Sequence, residues 1–139
     1  MKREDFARPA KRRTTTFPFR DGSVSGVAPT VAELRKWRQS YQNADGSLNL
    51  AKAMKADEAL LALVLRDEDW QPLLSMDEAY EGFFDGHEAD EINALCTRVS
   101  VFVGIDPSEM RDIRDAAKNS KGTATSESCG NSPPDKAEP

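Results

Sequence analysis

The sequence predicts a mainly α fold: a compact bundle of about five helices, with a short N-terminal β-hairpin and disordered termini. Three observations carry this. Ala59 to Leu65 is an unbroken apolar run of Leu and Ala with one β-branched residue, Val64, and Leu and Ala are strong helix formers. Two later segments place apolar residues at helical spacing, Met76, Ala79, Tyr80, Phe83 and Phe84, then Ile92, Leu95, Cys96, Val99, Phe102 and Val103, each a stripe of the amphipathic form. Capping signals and Gly or Pro punctuation separate the segments.

Composition sets the frame. The 139 residues carry a net charge of -5 and fit one domain by length. Residues 1–13 read as a flexible basic arm, 14–119 as the helical domain with its hairpin, and 120–139 as a disordered tail rich in Ser, Lys, Gly, Thr, Pro and Glu. Lys2, Arg3, Arg8, Lys11, Arg12 and Arg13 crowd the arm, while the acids from Asp57 to Glu91 crowd the middle with Arg66 the lone base among them. The two regions either attract each other or meet different partners. Cys96 falls on an apolar helix face and Cys129 in the tail, so no disulfide framework or zinc spacing arises. No apolar h-region follows the basic start, and no run reaches membrane-spanning length. A reducing cytoplasm is the expected compartment.

In chain order, Thr14 to Val27 predicts the hairpin. Thr, Phe and Val favour strands, Asp21-Gly22 signals the turn, and Pro18, with no N–H to donate, marks an edge strand. Phe17 and Phe19 share one face, which caps one end of the helical core. Thr30-Val-Ala-Glu33 is a capping box, opening a helix with the stripe Val31, Leu34, Trp37 and Tyr41. Asn43 to Gly46 is a turn; it lacks the closing acid of a calcium loop. One long central helix is expected from about Asn49 to Arg66, with Leu50, Met54, Leu61 and Leu65 in phase, stopped by Asp67-Glu-Asp69 and Pro72. Trp70, Leu73 and Leu74 are expected to tuck against the core. Ser75-Met-Asp-Glu78 is a second capping box, and its helix is expected to run to Gly86. Glu88 or Asp90 opens the next helix, acids suiting its positive end, and Gly104 closes it. Asp106-Pro-Ser-Glu109 starts the last helix, which Met110, Ile113 and Ala117 give a thin apolar edge.

No catalytic constellation is expected, and no cofactor or metal. His87 is the sole histidine and has no nucleophile motif or orienting partner beside it. There is no Gly-rich phosphate loop, and nearly all of the carboxylates fall on polar faces or helix starts.

The order of elements resembles the tail assembly chaperones of long-tailed bacteriophages. The resemblance rests on Leu63-Val-Leu-Arg-Asp-Glu-Asp-Trp-Gln-Pro-Leu73, the Tyr80-Glu-Gly-Phe-Phe84 helix, the Ile92 to Val103 helix and Lys118-Asn119, over roughly Thr14 to Asn119. It implies a protein that coats the tape-measure protein, keeps it soluble and helps recruit tail tube protein during virion morphogenesis in the host cytoplasm, with no membrane partner. The family also uses a programmed minus-one ribosomal frameshift. Ala117-Lys118-Asn119 can be encoded by a slippery heptamer of the form A-AAA-AAC, which would make a frameshifted long form a further partner. Helix-in-groove recognition and repeated weak contacts along a helical client suit this role. The expected partner-binding residues are Met76, Tyr80, Phe83, Phe84, Met110 and Ile113; the same residues would equally serve to close the core.

Two other classes fit a small helical acidic chain. A head–tail connector or tail completion protein would form a stable ring and stay in the particle. A regulatory DNA-binding protein would use the basic arm, but no helix carries a dense basic, base-reading face, so nucleic acid is not an expected partner.

Overall fold

The computed structural model describes residues 1–9 and 11–124. Helix α1 (Arg3–Ala7) buries nothing. Strands β1 (Thr14–Phe19) and β2 (Gly22–Val27) form the hairpin, in register from Thr14 opposite Val27 to Phe19 opposite Gly22. Arg20 and Asp21 therefore make its turn, Arg20 with a positive φ of 53°. β1 is the outer strand, so Pro18 costs no ladder bond. Phe17 is buried and meets Phe102 edge-on at 5.6 Å.

Both capping boxes form. Thr30 and Glu33 open α2 (Val31–Ser40), and Ser75 and Glu78 open α5 (Met76–Tyr80). On α2 the buried residue is Trp37, with Tyr41 buried just past the helix end; Val31, placed on that stripe by its spacing, lies on the surface instead.

The central segment departs most from expectation. The single helix from about Asn49 to Arg66 is three elements: α3 (Leu50–Ala53), α4 (Ala56–Val64) and a short strand β3 (Leu65–Arg66). Between the helices Lys55 N bonds back to Lys52 O at 3.0 Å, a tightened turn. It buries both Ala53 and Ala56 while leaving Met54 exposed. At the far end β2 offers an open edge. Gly26 pairs with Leu65 and Ser25 with Arg66, making a three-stranded antiparallel sheet, β1-β2-β3. Backbone pairing with the sheet outcompetes one more helical turn there, a tertiary override of propensity.

The acidic knot after β3 is a turn. Asp67 Oδ1 accepts from Asp69 N at 2.8 Å and Gln71 N at 3.1 Å. It returns Leu73 N to Leu65 O at 3.2 Å and lifts Trp70 and Leu73 to the surface, where core positions were expected; Leu74 is buried.

Helix α6 (Ala89–Val103) starts at Glu88 and ends at Gly104 with φ 88°. It buries Ile92, Leu95, Cys96 and Val99, as the pattern predicts. Helix α7 (Pro107–Ala124) runs past the expected boundary at Asn119, and Met110, Ile113 and Ala117 are buried. Its apolar edge is part of the core. Among the described residues the architecture is thus seven helices with a small three-stranded antiparallel sheet, rather than five helices and a hairpin. The arm is anchored at its base: Arg12 Nη2 donates to Glu33 at 2.6 Å, and Arg13 Nη2 to the Phe102 carbonyl at 3.1 Å. Residues 125–139, the rest of the expected tail including Cys129, lie outside the described residues.

Candidate functional site

The expected aromatic helix stops early. Gly82 takes φ 103°, Phe83 N reaches back to Glu78 O at 3.0 Å, and the chain winds through turns to Gly86. Phe83 and Phe84 therefore do not continue a helical stripe. Phe84 turns inward and is buried, whereas Phe83 stays 44% exposed. Their rings meet edge-on at 5.0 Å. His87, held by a 2.9 Å bond from its N–H to the Phe84 carbonyl, stacks on Phe83 at 6.4 Å and meets Phe84 edge-on at 5.5 Å.

These three rings line a groove of about 260 Å³ with Phe19 and Val24 from the sheet, and Leu65, Leu73 and Leu95. Its walls are almost wholly apolar; the exception is His87, whose Nδ1 is buried without a partner. Charge stays on the flanks. The Arg20 guanidinium forks onto Glu91 at 2.9 and 3.0 Å and lies 5.1 Å from the Phe19 ring centre. That fork raises the Arg20 pKa and holds the Glu91 carboxyl below its ordinary range. Lys55 reaches Asp85 at 3.4 Å. Exposed pairs like these hold side chains in place more than they stabilise the fold.

Of the six expected partner-binding residues, only Phe83 and Phe84 meet here. Met76, half-buried, lines a separate groove beside Leu73. Tyr80 is half-buried; its hydroxyl hydrogen-bonds Ser40 Oγ and its ring sits under Lys52, with burial raising its pKa. It ties α5 to α2. Met110 and Ile113 are buried on α7. Leu73 and His87 were not anticipated at this site. The only sequence signal for them was their closeness to the expected aromatic helix.

A second, polar cleft of about 510 Å³ lies between α4, α6 and α7, lined by Asp57, Glu58, Asn93, Cys96, Thr97 and Arg114 among others. Arg114 Nη2 donates to Asp57 at 2.6 Å. Glu58 Oε1 is buried with no partner. Burial, then the Asp57 charge, raises its pKa. The neighbouring Cys96 thiol is pushed well above its usual range, chiefly by burial, so it stays protonated and a poor nucleophile. The raised Glu58 carboxyl gives a prediction with a defined sign. The folded state holds that proton more tightly than the unfolded state, so stability falls as pH rises through the folded pKa. Glu58→Gln is expected to unfold at higher urea than the parent at neutral pH. The difference should vanish in acid, where both chains are neutral at this position. Equal midpoints at neutral pH would place Glu58 in water.

Among the described residues no group of acids, His and Cys is arranged to hold a metal ion, and no helix is long and apolar enough to cross a membrane. Comparison with family models, with curated proteins and with solved structures finds no match to this chain.

Proposed function

We propose that this chain is a bacteriophage tail assembly chaperone, working in the host cytoplasm as a binding protein rather than an enzyme. It would bind the tape-measure protein, keep it soluble and help recruit tail tube subunits. The reading begins from the sequence resemblance. The observation that supports it best is the groove beside Phe83: an open apolar surface on a framework of the sheet and α6. Apolar side chains from one face of a client helix suit such a surface. A single groove of this size binds weakly, and many copies along a long helical client would add through multivalency. The buried positions of Phe84, Met110 and Ile113 give them the supporting role, with Phe83 and Leu73 as the contact residues. The frameshifted long form would share this domain and therefore this groove.

Co-expression with the tape-measure product tests the proposal. The parent chain is expected to keep that product soluble and to co-purify with it. Phe83→Asp puts a charge into the groove at an exposed position and should abolish both while leaving the circular dichroism spectrum unchanged. A tape-measure product that precipitates equally with and without the parent chain would remove the reading. Recovery of the chain from finished particles as a stable ring would favour a connector instead.

A further inference from the structure

A groove of about 620 Å³ lies on the other side of Leu73. Strand alternation explains the arrangement: neighbouring residues of β3 point to opposite faces, so Leu65 lines the Phe83 groove and Arg66 lines this one. Leu63, Pro72, Leu73 and Met76 supply apolar wall. Arg66 is only 9% exposed, and it makes no ion pair among the described residues. Nη1 donates to the carbonyls of Leu63 and Leu65, both at 3.0 Å, capping the C-terminal end of α4, where a cation is favoured. Nε and Nη2 have no protein acceptor among the described residues, yet they are not sealed from solvent.

A buried cation without a counter-ion is costly, and burial lowers the Arg66 pKa, with Arg12 adding to the effect and Glu33 opposing it. The acids that share the groove are already engaged. Glu33 Oε1 takes Arg12 at 2.6 Å and the Thr30 N–H at 2.9 Å. Glu78 Oε1 accepts from the Ser75 N–H at 2.8 Å. Lys36, also lining the groove, has no ion pair among the described residues. The lining carries Lys36 and Arg66 against Glu33 and Glu78, and Arg12 outside it takes up Glu33, so both lining cations lack an ion-pair partner among the described residues while Glu33 has one.

We infer that this groove binds a partner polypeptide through an Asp or Glu side chain seated on the free edge of the Arg66 guanidinium, with an adjacent apolar side chain packed against Leu73 and Met76. The free Nε and Nη2 edge matches the bidentate geometry that Arg offers a carboxylate. The apolar wall favours a peptide segment over a small ion. Together with the Phe83 groove, the inference narrows the client: apolar residues flanked by an acid, instead of any helix with an apolar face. It rests on the client-binding reading for its biological context only, because its test uses no tape-measure protein.

The test titrates the full-length chain, labelled with nitrogen-15, against two blocked amphipathic peptides that differ only in a central Glu or Gln. The Glu peptide is expected to shift the Arg66 Nε–H resonance and to bind about fivefold tighter, as a charge-assisted hydrogen bond in a part-open site implies. Lys36→Glu, an exposed change that spares the α4 cap, should erase that preference; Arg66→Lys should reduce it by removing the fork. Equal binding of the two peptides, or no movement of the Arg66 resonance, would overturn the assignment. So would inorganic phosphate shifting the same resonance and displacing the Glu peptide at equal concentration, since the groove would then be a general anion site. Failure here leaves the co-expression result at Phe83 unaffected.

Discussion

Trp37→Ala is expected to cost about 3–5 kcal/mol of folding stability, the range for truncating a large aromatic residue in a core. Trp37 has no exposed surface. Its Nε1 donates to the Ala56 carbonyl at 2.7 Å, and its ring meets Tyr41 edge-on at 5.5 Å. The indole therefore joins α2 to the first residue of α4, just past the break after α3. Domains of this kind are stable by about 5–15 kcal/mol in all, so the loss would be a large share of the total. Trp37→Phe keeps most of the packing and removes the hydrogen bond; about 1–3 kcal/mol is expected from that change. Urea unfolding followed by far-ultraviolet circular dichroism measures both without relying on the fluorescence of the residue being replaced. A loss below about 1 kcal/mol for the alanine variant would mean that the α2–α4 junction does not depend on this ring.

The second large effect is expected at Gly26. A Cβ there would lie 2.5 Å from Phe17 Cε2 and 3.1 Å from Val64 Cγ1. Phe17 cannot simply swing aside, because it is buried and already wedged against Phe102. Gly26 is also the partner of Leu65 in β3, so this residue sets how closely the sheet approaches the end of α4. Gly26→Val should destabilise by about 2–3 kcal/mol through overpacking. Gly22→Val is the matched control in the same strand. Its Cβ would meet nothing within 4 Å, and a change within about 0.5 kcal/mol is expected for a surface substitution. If the two variants unfold at the same urea concentration, the sheet can slide away from α4 and the close approach is not a constraint.

The candidate site was partly legible. Phe83 and Phe84 stood out as aromatic residues in an acidic segment. Their division of labour did not, because helical spacing would set them side by side on one face. The turn at Gly82 rotates one inward and leaves the other out. Arg66 was visible only as the one base in an acidic stretch; nothing local announced that β2 would draw it into the sheet and bury it. Leu73 sits in a Pro-Leu-Leu sequence that reads as core, and the Asp67 turn places it between two grooves instead.

What the sequence by itself determined was whatever depends on a few neighbouring residues. The Thr30–Glu33 and Ser75–Glu78 boxes, the Gly104 stop, the presence of a hairpin between Thr14 and Val27 (though its turn falls at Arg20-Asp21, one residue before the Asp21-Gly22 signal) and the apolar face of α6 all arise from hydrogen bonds or side-chain spacing within one segment. Tertiary structure decided what depends on competition between segments. Residues 49–66 are apolar enough to be one helix and equally suited to end as a strand, since a buried run has no period to separate the two. The choice was made by an unpaired edge on β2 and by the indole of Trp37, both remote in sequence. The same competition made the grooves, because Leu65 and Arg66 face opposite ways only once they belong to a sheet.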